Sequence, residues 1–500
     1  MFSSVPGPIG IFDSGYGGLT IFDKIRAAMP GYDYIYLGDN ARSPYGTRSF
    51  EVVYRFTKQA VETLFNEGCQ LVILACNTAS AKALRTIQQR DLPQWDPARR
   101  VLGVIRPTVE LMDKISKSKH VGILGTTGTI TSDSYSLEIK KMFPKATIVL
   151  VMSGNFTERG DTSIINKWDK TEIALKMGVD LVIELPFVFA TQSADTFAKA
   201  SIQILKEMKV NYLVFGSETN KVDKLEELAE VQLNNKKYNK LVKEYLDQGL
   251  NYPTALSKSL YEITGLKMNK PNDILGITYI REIKKQKANI IPITIKRNND
   301  YNGFDLEDNI SSATSIRYAL KNKSNVDKYV PEFVRPYLEK NNHFIDDYYS
   351  ILKYKILTEK DFINHYKTVD EGIENRINKY IIKCRNLDEL ILKIKTKRYT
   401  YNKLHRMFTH ILCNFTKEEA EEFSDIEYIR VLGFSSQGRL YLKEAKDNTE
   451  IPVITNYSKI NSKILEIEFR STCVYASILD EEEKIKLIES EYKNYPIMIG

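Results

Sequence analysis

Cysteine is scarce: five among 500 residues (Cys69, Cys76, Cys384, Cys413 and Cys473), odd in number and without CxxC or Cys/His spacing. That excludes a disulfide framework and a structural zinc site, and free thiols in a reducing cytosol are expected. With five histidines as well, no metal centre is expected. The 25 glycines and 16 prolines are too few for collagen or low-complexity sequence. No apolar run reaches the roughly 18–20 residues that cross a bilayer. The opening MFSSVPGPIGIFDSG has no charged stretch followed by an apolar one, so no secretory leader is expected. A cytoplasmic protein without a membrane partner is the expectation. Charge of one sign is lacking too: 71 Lys+Arg against 64 Asp+Glu leave +7, which permits an RNA partner without requiring one. What is present is ordinary globular composition, 43% hydrophobic and 27% charged. The length suggests about three domains.

Residues 1–150 alternate strands and helices. IGIFDSG, YDYIYLGD, QLVILACN, RVLGVIRP and HVGILGTT are short apolar runs ending in Gly, Asp, Asn or Thr, with helical stretches between them. This predicts a parallel α/β sheet with its ligand crevice at the C-terminal strand ends. The pattern continues over 148–300 through TIVLVMSG, DLVIELPF, NYLVFGSE and NIIPITIKR. Beyond 325 the period is mostly helical and the tail is mixed. No flexible linker separates the blocks.

Three strings near the N-terminus carry chemistry. DSGYGG (13–18) follows a strand, and its glycines let backbone N–H groups approach an anion; a tight structural turn is the equal alternative. YLGDNARSPYGTRS (36–49) is a polar loop. LACNTASA (74–81) puts Cys76 at a strand end and a helix start, where a thiol can serve as base or nucleophile, although a buried small hydrophobe is the commoner use. Together with VLGVIRPTVE and VGILGTTGTITSDSY, these strings resemble the N-terminal half of bacterial glutamate racemase over about residues 1–147. The resemblance implies that Cys76 is one of two acid/base cysteines flanking the substrate α-carbon. It implies that Asp13, Ser14, Tyr45, Gly46, Asn77 and Thr78 bind glutamate. The family's second cysteine, in a Gly-Cys-Thr-His string, has no counterpart here. Inverting a stereocentre needs a proton source on each face, so this lobe is expected to be inactive.

The remainder, about 148–500, resembles bacterial tRNA(Met) cytidine acetate ligase, a relative of the HxGH nucleotidyltransferases. The motifs are VMSGNFTERGDTSIINKWDKTEIALKMGVDLVIELPF, FGSE (215–218), PNDILGITYI (271–280), ITIKR (293–297) and SSATSIRYAL (311–320). The resemblance implies that ATP, with Mg as its counter-ion, activates acetate for transfer to the N4 amine of the wobble cytidine of elongator tRNA(Met). It implies nucleotide contacts at Gly216, Asn272, Arg297 and Arg317. A strand-end glycine admits the nucleoside to the backbone, and a guanidinium fork suits phosphate. Asn272 in an Asx turn and Arg297 as a surface charge are the plain alternatives. Ser153-Gly154-Asn155 and Arg159-Gly160 form either a loop over acetate and phosphates or a structural turn. KIKTKRYTYNKLHR (393–406) offers six cations with Tyr399 and Tyr401, which suits unpaired anticodon bases; a solvated helix face is the alternative.

No HxGH string occurs. Residues 121–156 read strand, loop, helix, strand, then the SGNF motif, so 121–150 of racemase type are expected to replace the first βαβ unit of the ligase sheet. The expected domains are therefore 1–100 (incomplete racemase-like lobe), 101–325 (α/β nucleotidyltransferase-like) and 326–500 (mostly helical, with a role in tRNA binding). Three readings follow: a ligase impaired by the lost histidines, a glutamate racemase with one of two cysteines, and an inactive fusion or misassembled reading frame.

Overall fold

Apolar runs with both faces buried build two sheets, as expected of parallel strands covered by helices. The computed structural model describes residues 7–15, 18–42, 50–104, 121–123, 147–266, 270–296, 313–340 and 342–500. The described residues fall into two compact units, one holding 7–104 and 313–332, the other 121–123, 147–295 and 333–500. In the first, β1 (Ile9–Asp13), β2 (Tyr34–Gly38), β3 (Leu71–Leu74) and β4 (Arg100–Gly103) pair in parallel in the order β2-β1-β3-β4. Helices α1 (Leu19–Ala28), α2 (Phe50–Asn66) and α3 (Asn77–Lys82) connect them. Val53, Val61, Leu64 and Phe65 of α2 pack with Val72, Leu74 and Val101 of the strands.

The second unit has an eight-stranded sheet: β5 (Val121–Ile123), β6 (Ile148–Ser153), β7 (Leu181–Leu185), β8 (Tyr212–Ser217), β9 (Ile291–Lys296), β10 (Ile429–Ser435), β11 (Val453–Ile454) and β12 (Ile497–Ile499). Its order is β11-β10-β7-β6-β5-β8-β9, with β12 on β10. β5 lies between β6 (Val121 opposite Ile148) and β8 (Gly122 opposite Leu213), both parallel to it. From β5 the chain builds outward through β6 and β7, then returns to the other side of β5 with β8. The strand order therefore reverses between β5 and β8, which places the ligand crevice outside their C-terminal ends.

The C-terminal region is mostly helical, but it is not a separate helical body. β10 pairs antiparallel with β7, and β11 and β12 pair with β10, so the last third of the chain completes the sheet. The physical reason is the buried run Ile429–Val431–Leu432, which needs a strand partner for its backbone groups. Among the described residues, no helix is long and apolar enough to cross a membrane.

Candidate functional site

In the first unit, the turn after β1 and the start of α3 meet. Asp13 Oδ2 accepts from the backbone N–H of Gly15 (3.2 Å) and Gly18 (2.9 Å), so this carboxylate organises its own turn. A methyl group on Gly18 would lie 2.7 Å from Asp13 Cβ, which is why glycine stands there. Ser14 Oγ is 3.3 Å from Cys76 Sγ, and Ala79 N–H donates to that sulfur at 3.4 Å. Burial, then the charge of Asp13, pushes the Cys76 thiol up, so it is mainly protonated at neutral pH and a weak base there. Tyr36 donates to Gly15 O at 3.1 Å; burial, Asp13 and Cys76 push it up to about 12. Thr78 is buried at 8% exposure, and Asn77 is the first residue of α3. Tyr45 and Gly46 lie outside the described residues. The other cysteine of this unit, Cys69, is fully buried beside Gly10 at the opposite end of β1. Asp13, Ser14 and Cys76 are thus brought together, without a second thiol among the described residues there.

In the second unit, Gly216 sits near the C-terminal end of β8, and α4 (Pro271–Lys285) starts beside it. Two carboxylates clamp the junction reciprocally. Glu218 accepts from Asn272 Nδ2 (2.7 Å), Asn272 N (3.2 Å) and Asp273 N (2.9 Å), which caps the helix. Asp273 accepts from Glu218 N (3.1 Å), Thr219 N (3.2 Å) and the Ser217 hydroxyl, which fixes the turn after the strand. A methyl on Gly276 would lie 2.4 Å from the Phe215 ring, so that glycine lets α4 lie directly on β8. Gly216 and Asn272 are therefore held together at the crevice. Neither Glu218 nor Asp273 was expected from the sequence, although both stand inside the quoted FGSE and PND strings. A strand-end acid facing a Pro-Asn-Asp helix start was the available signal. Arg297 lies outside the described residues. Arg317 is on the helix Ala313–Lys321, which belongs to the first unit, whereas Gly216 and Asn272 belong to the second.

The SGNF and ERGD segments divide between the two uses. Asn155 is structural: it is 1% exposed, donates to Thr472 Oγ1 (3.0 Å) and accepts from Lys167 N (3.0 Å). Gly160 is structural too, with φ +79° and a methyl position 2.2 Å from the Arg406 backbone N. Ser153 is the last residue of β6, opposite Leu185 of β7, and Gly154 follows it. Trp168 is core. In the basic run, Tyr399 cannot stack on a base: it is 3% exposed, its hydroxyl donates to Asp370 O at 2.6 Å, and Lys403 covers its ring. Arg406 pairs with Glu158 at 3.1 Å. Lys393, Lys395, Lys397, Arg398 and Tyr401 remain exposed. The apolar spacing around Leu404 and Met407, which form core, turns the Tyr399 ring inward. Among the described residues, no cluster of histidine, cysteine and carboxylates could hold a metal ion.

The family described as HIGH Nucleotidyl Transferase matches residues 134–490. A tRNA(Met) cytidine acetate ligase of Anoxybacillus flavithermus is 38% identical over 368 residues, covering 70% of this chain and 92% of the relative. One from Caldanaerobacter subterraneus is 39% identical over 333 residues, 63% of this chain and 83% of the relative. The crystal structure of Thermotoga maritima TmcAL bound with alpha-thio ATP is matched with a TM-score of 0.67 at 27% identity, over 76% of this chain and 99% of that one. A glutamate racemase of Bacillus anthracis is matched with a TM-score of only 0.28 at 26% identity, over 42% of this chain and 67% of that one.

Proposed function

This chain belongs to the tRNA(Met) cytidine acetate ligase family of HIGH nucleotidyltransferases, and on that premise we propose that it binds ATP in the crevice of its second unit and uses it to acetylate tRNA. Acetate attacks the α-phosphorus and pyrophosphate leaves. The N4 amine of the wobble cytidine of elongator tRNA(Met) then attacks the acetyl carbonyl, and AMP leaves. The amine is a weak nucleophile, so the acyl group must be activated first. The supporting observation is the clamp that sets Gly216 and Asn272 together beside the β5/β8 reversal. Gly216 and Asn272 are the proposed nucleotide contacts, with Mg as counter-ion of ATP. Without the HxGH histidines the phosphate charge is less well stabilised, so turnover is expected to be slow. The exposed Lys393, Lys395, Lys397 and Arg398 would supply the salt-dependent part of tRNA affinity. A tRNA substrate suits a reaction in the cytoplasm. Calorimetric titration with ATP, followed by acetate-dependent exchange of labelled pyrophosphate into ATP, tests this. Binding that weakens in Asn272→Ala supports it, and an absence of ATP affinity rejects it.

The Ser14–Cys76 contact favours a second reading, in which the first unit binds glutamate. With Cys76 as the one thiol placed beside Asp13 and Ser14, it would not racemise. The segment 121–150 would then be of racemase type in the first βαβ position of the ligase sheet, a reading that the pairing of β5 with β6 supports. Glutamate incubated in deuterated water tests it; Cys76-dependent exchange of the α-proton would restore the racemase reading.

A further inference from the structure

Beneath the end of β6 lies a cluster of five charged side chains, each at most 2% exposed: Lys167, Glu184, Arg430, Glu468 and Glu491. They come from five elements: α5 (Lys167–Lys176), β7, β10, α6 (Lys463–Ala476) and α7 (Glu481–Lys493). Lys167 Nζ lies 2.7 Å from Glu184 and 2.8 Å from Glu491; Arg430 lies 3.1 Å from Glu184 and 2.6 Å from Glu491. Two cations thus balance two carboxylates, and Glu468 is the fifth, unbalanced member. Its Oε1 is 3.4 Å from Lys167, longer than the other pairs, while its Oε2 accepts the Phe187 N–H at 2.6 Å. With three buried carboxyls against two cations, one acid is in excess, and Glu468 has the longest cation contact, although the Phe187 N–H favours its charged form.

The cluster meets the turn at the C-terminal end of β6 at one place. A methyl group on Gly154 would lie 2.8 Å from Glu184 Oε1 and 2.9 Å from Glu468 Oε1, so the backbone of the turn after β6 rests on those two carboxyls. From above, Lys170 of α5 donates to Ser153 O (2.9 Å) and Gly154 O (2.6 Å). Asn155 is anchored through Thr472, which donates to Glu491 at 2.8 Å. β6 is the neighbour of β5, the strand at the crevice.

We propose that this cluster is a positioning device for the nucleotide crevice, holding the Ser153–Asn155 turn in place, with Glu468 as the member that decides whether it holds. The inference rests on the proposed ATP site and deepens it. The groups facing Glu468 are Lys167, Glu184 and Glu491, with Tyr428 and Cys413 nearby and Arg430 completing the cluster. Burial first, then Glu184 and Glu491 against Lys167, pushes Glu468 up to about 8. While its proton stays, the cluster is neutral. Once the proton is lost, two carboxylate oxygens flank the Gly154 backbone with one uncompensated charge, and the turn shifts to relieve it.

The test is ATP binding by calorimetry on the full chain at pH values between about 7 and 9, in the wild type, Glu468→Gln and Lys170→Met. Wild-type affinity should fall on the order of tenfold across that range, whereas Glu468→Gln, which cannot ionise, should stay flat. Lys170→Met, which leaves the buried cluster intact, should weaken binding at every pH while keeping the alkaline decline. A pH-independent wild type, or Glu468→Gln with the same decline, overturns the proposal. Absence of ATP binding at every pH would instead overturn the ATP site on which it rests.

Discussion

Cys76 shows how one residue type reads differently in sequence and in place. A thiol at a helix start invites the reading of a reactive thiolate. Here burial and the Asp13 charge outweigh the hydrogen bonds from Ser14 and Ala79, and the thiol is pushed up. Replacing Asp13 by Asn keeps an acceptor for Gly15 and Gly18 but removes the charge. Alkylation of Cys76 by iodoacetamide at neutral pH should therefore accelerate by about two- to tenfold in Asp13→Asn. Mass spectrometry of the labelled peptide measures this, and an unchanged rate would mean that access rather than charge controls the thiol.

At the scale of elements, β8 and α4 are joined by an exchange of caps. Asp273 serves three donors of the turn after the strand, and Glu218 serves three at the start of the helix. Asp273→Ala would leave buried donors without an acceptor. A loss of about 1–3 kcal/mol is expected, together with weaker ATP binding, because the turn that carries Gly216 loosens. Urea unfolding and ATP titration of the same variant check both halves. The strand-and-helix pattern that made β6, β7 and β8 legible comes from local apolar runs ending in small polar residues. Gly216 and Asn272 were singled out by the resemblance to the ligase family, and the structure puts them on either side of the junction between β8 and α4. The clamp was not legible, because it is a pairing between segments that the sequence places 54 to 56 residues apart.

At the scale of the molecule, each unit has its own core, and the buried cluster belongs to the second. Glu468 is held above its ordinary value, so its neutral form favours folding. That contribution is complete below the ordinary carboxylate range and is lost as pH rises through about 8. The urea midpoint of the second unit should therefore decline between about pH 5 and 9, and Glu468→Gln should not share the decline. A wild-type midpoint that is level across that range would contradict the raised value.

Local sequence determined the element types and the positions of strand-end residues, because apolar periodicity and turn chemistry act over a few residues. It also showed that no His-x-Gly-His string occurs. Only the tertiary structure decided that β10, β11 and β12 complete the sheet, that Tyr399 turns inward, and that Lys167 and Glu468 meet although 301 residues separate them. Those outcomes depend on which distant groups must satisfy one another once water is excluded, and no local pattern encodes that choice.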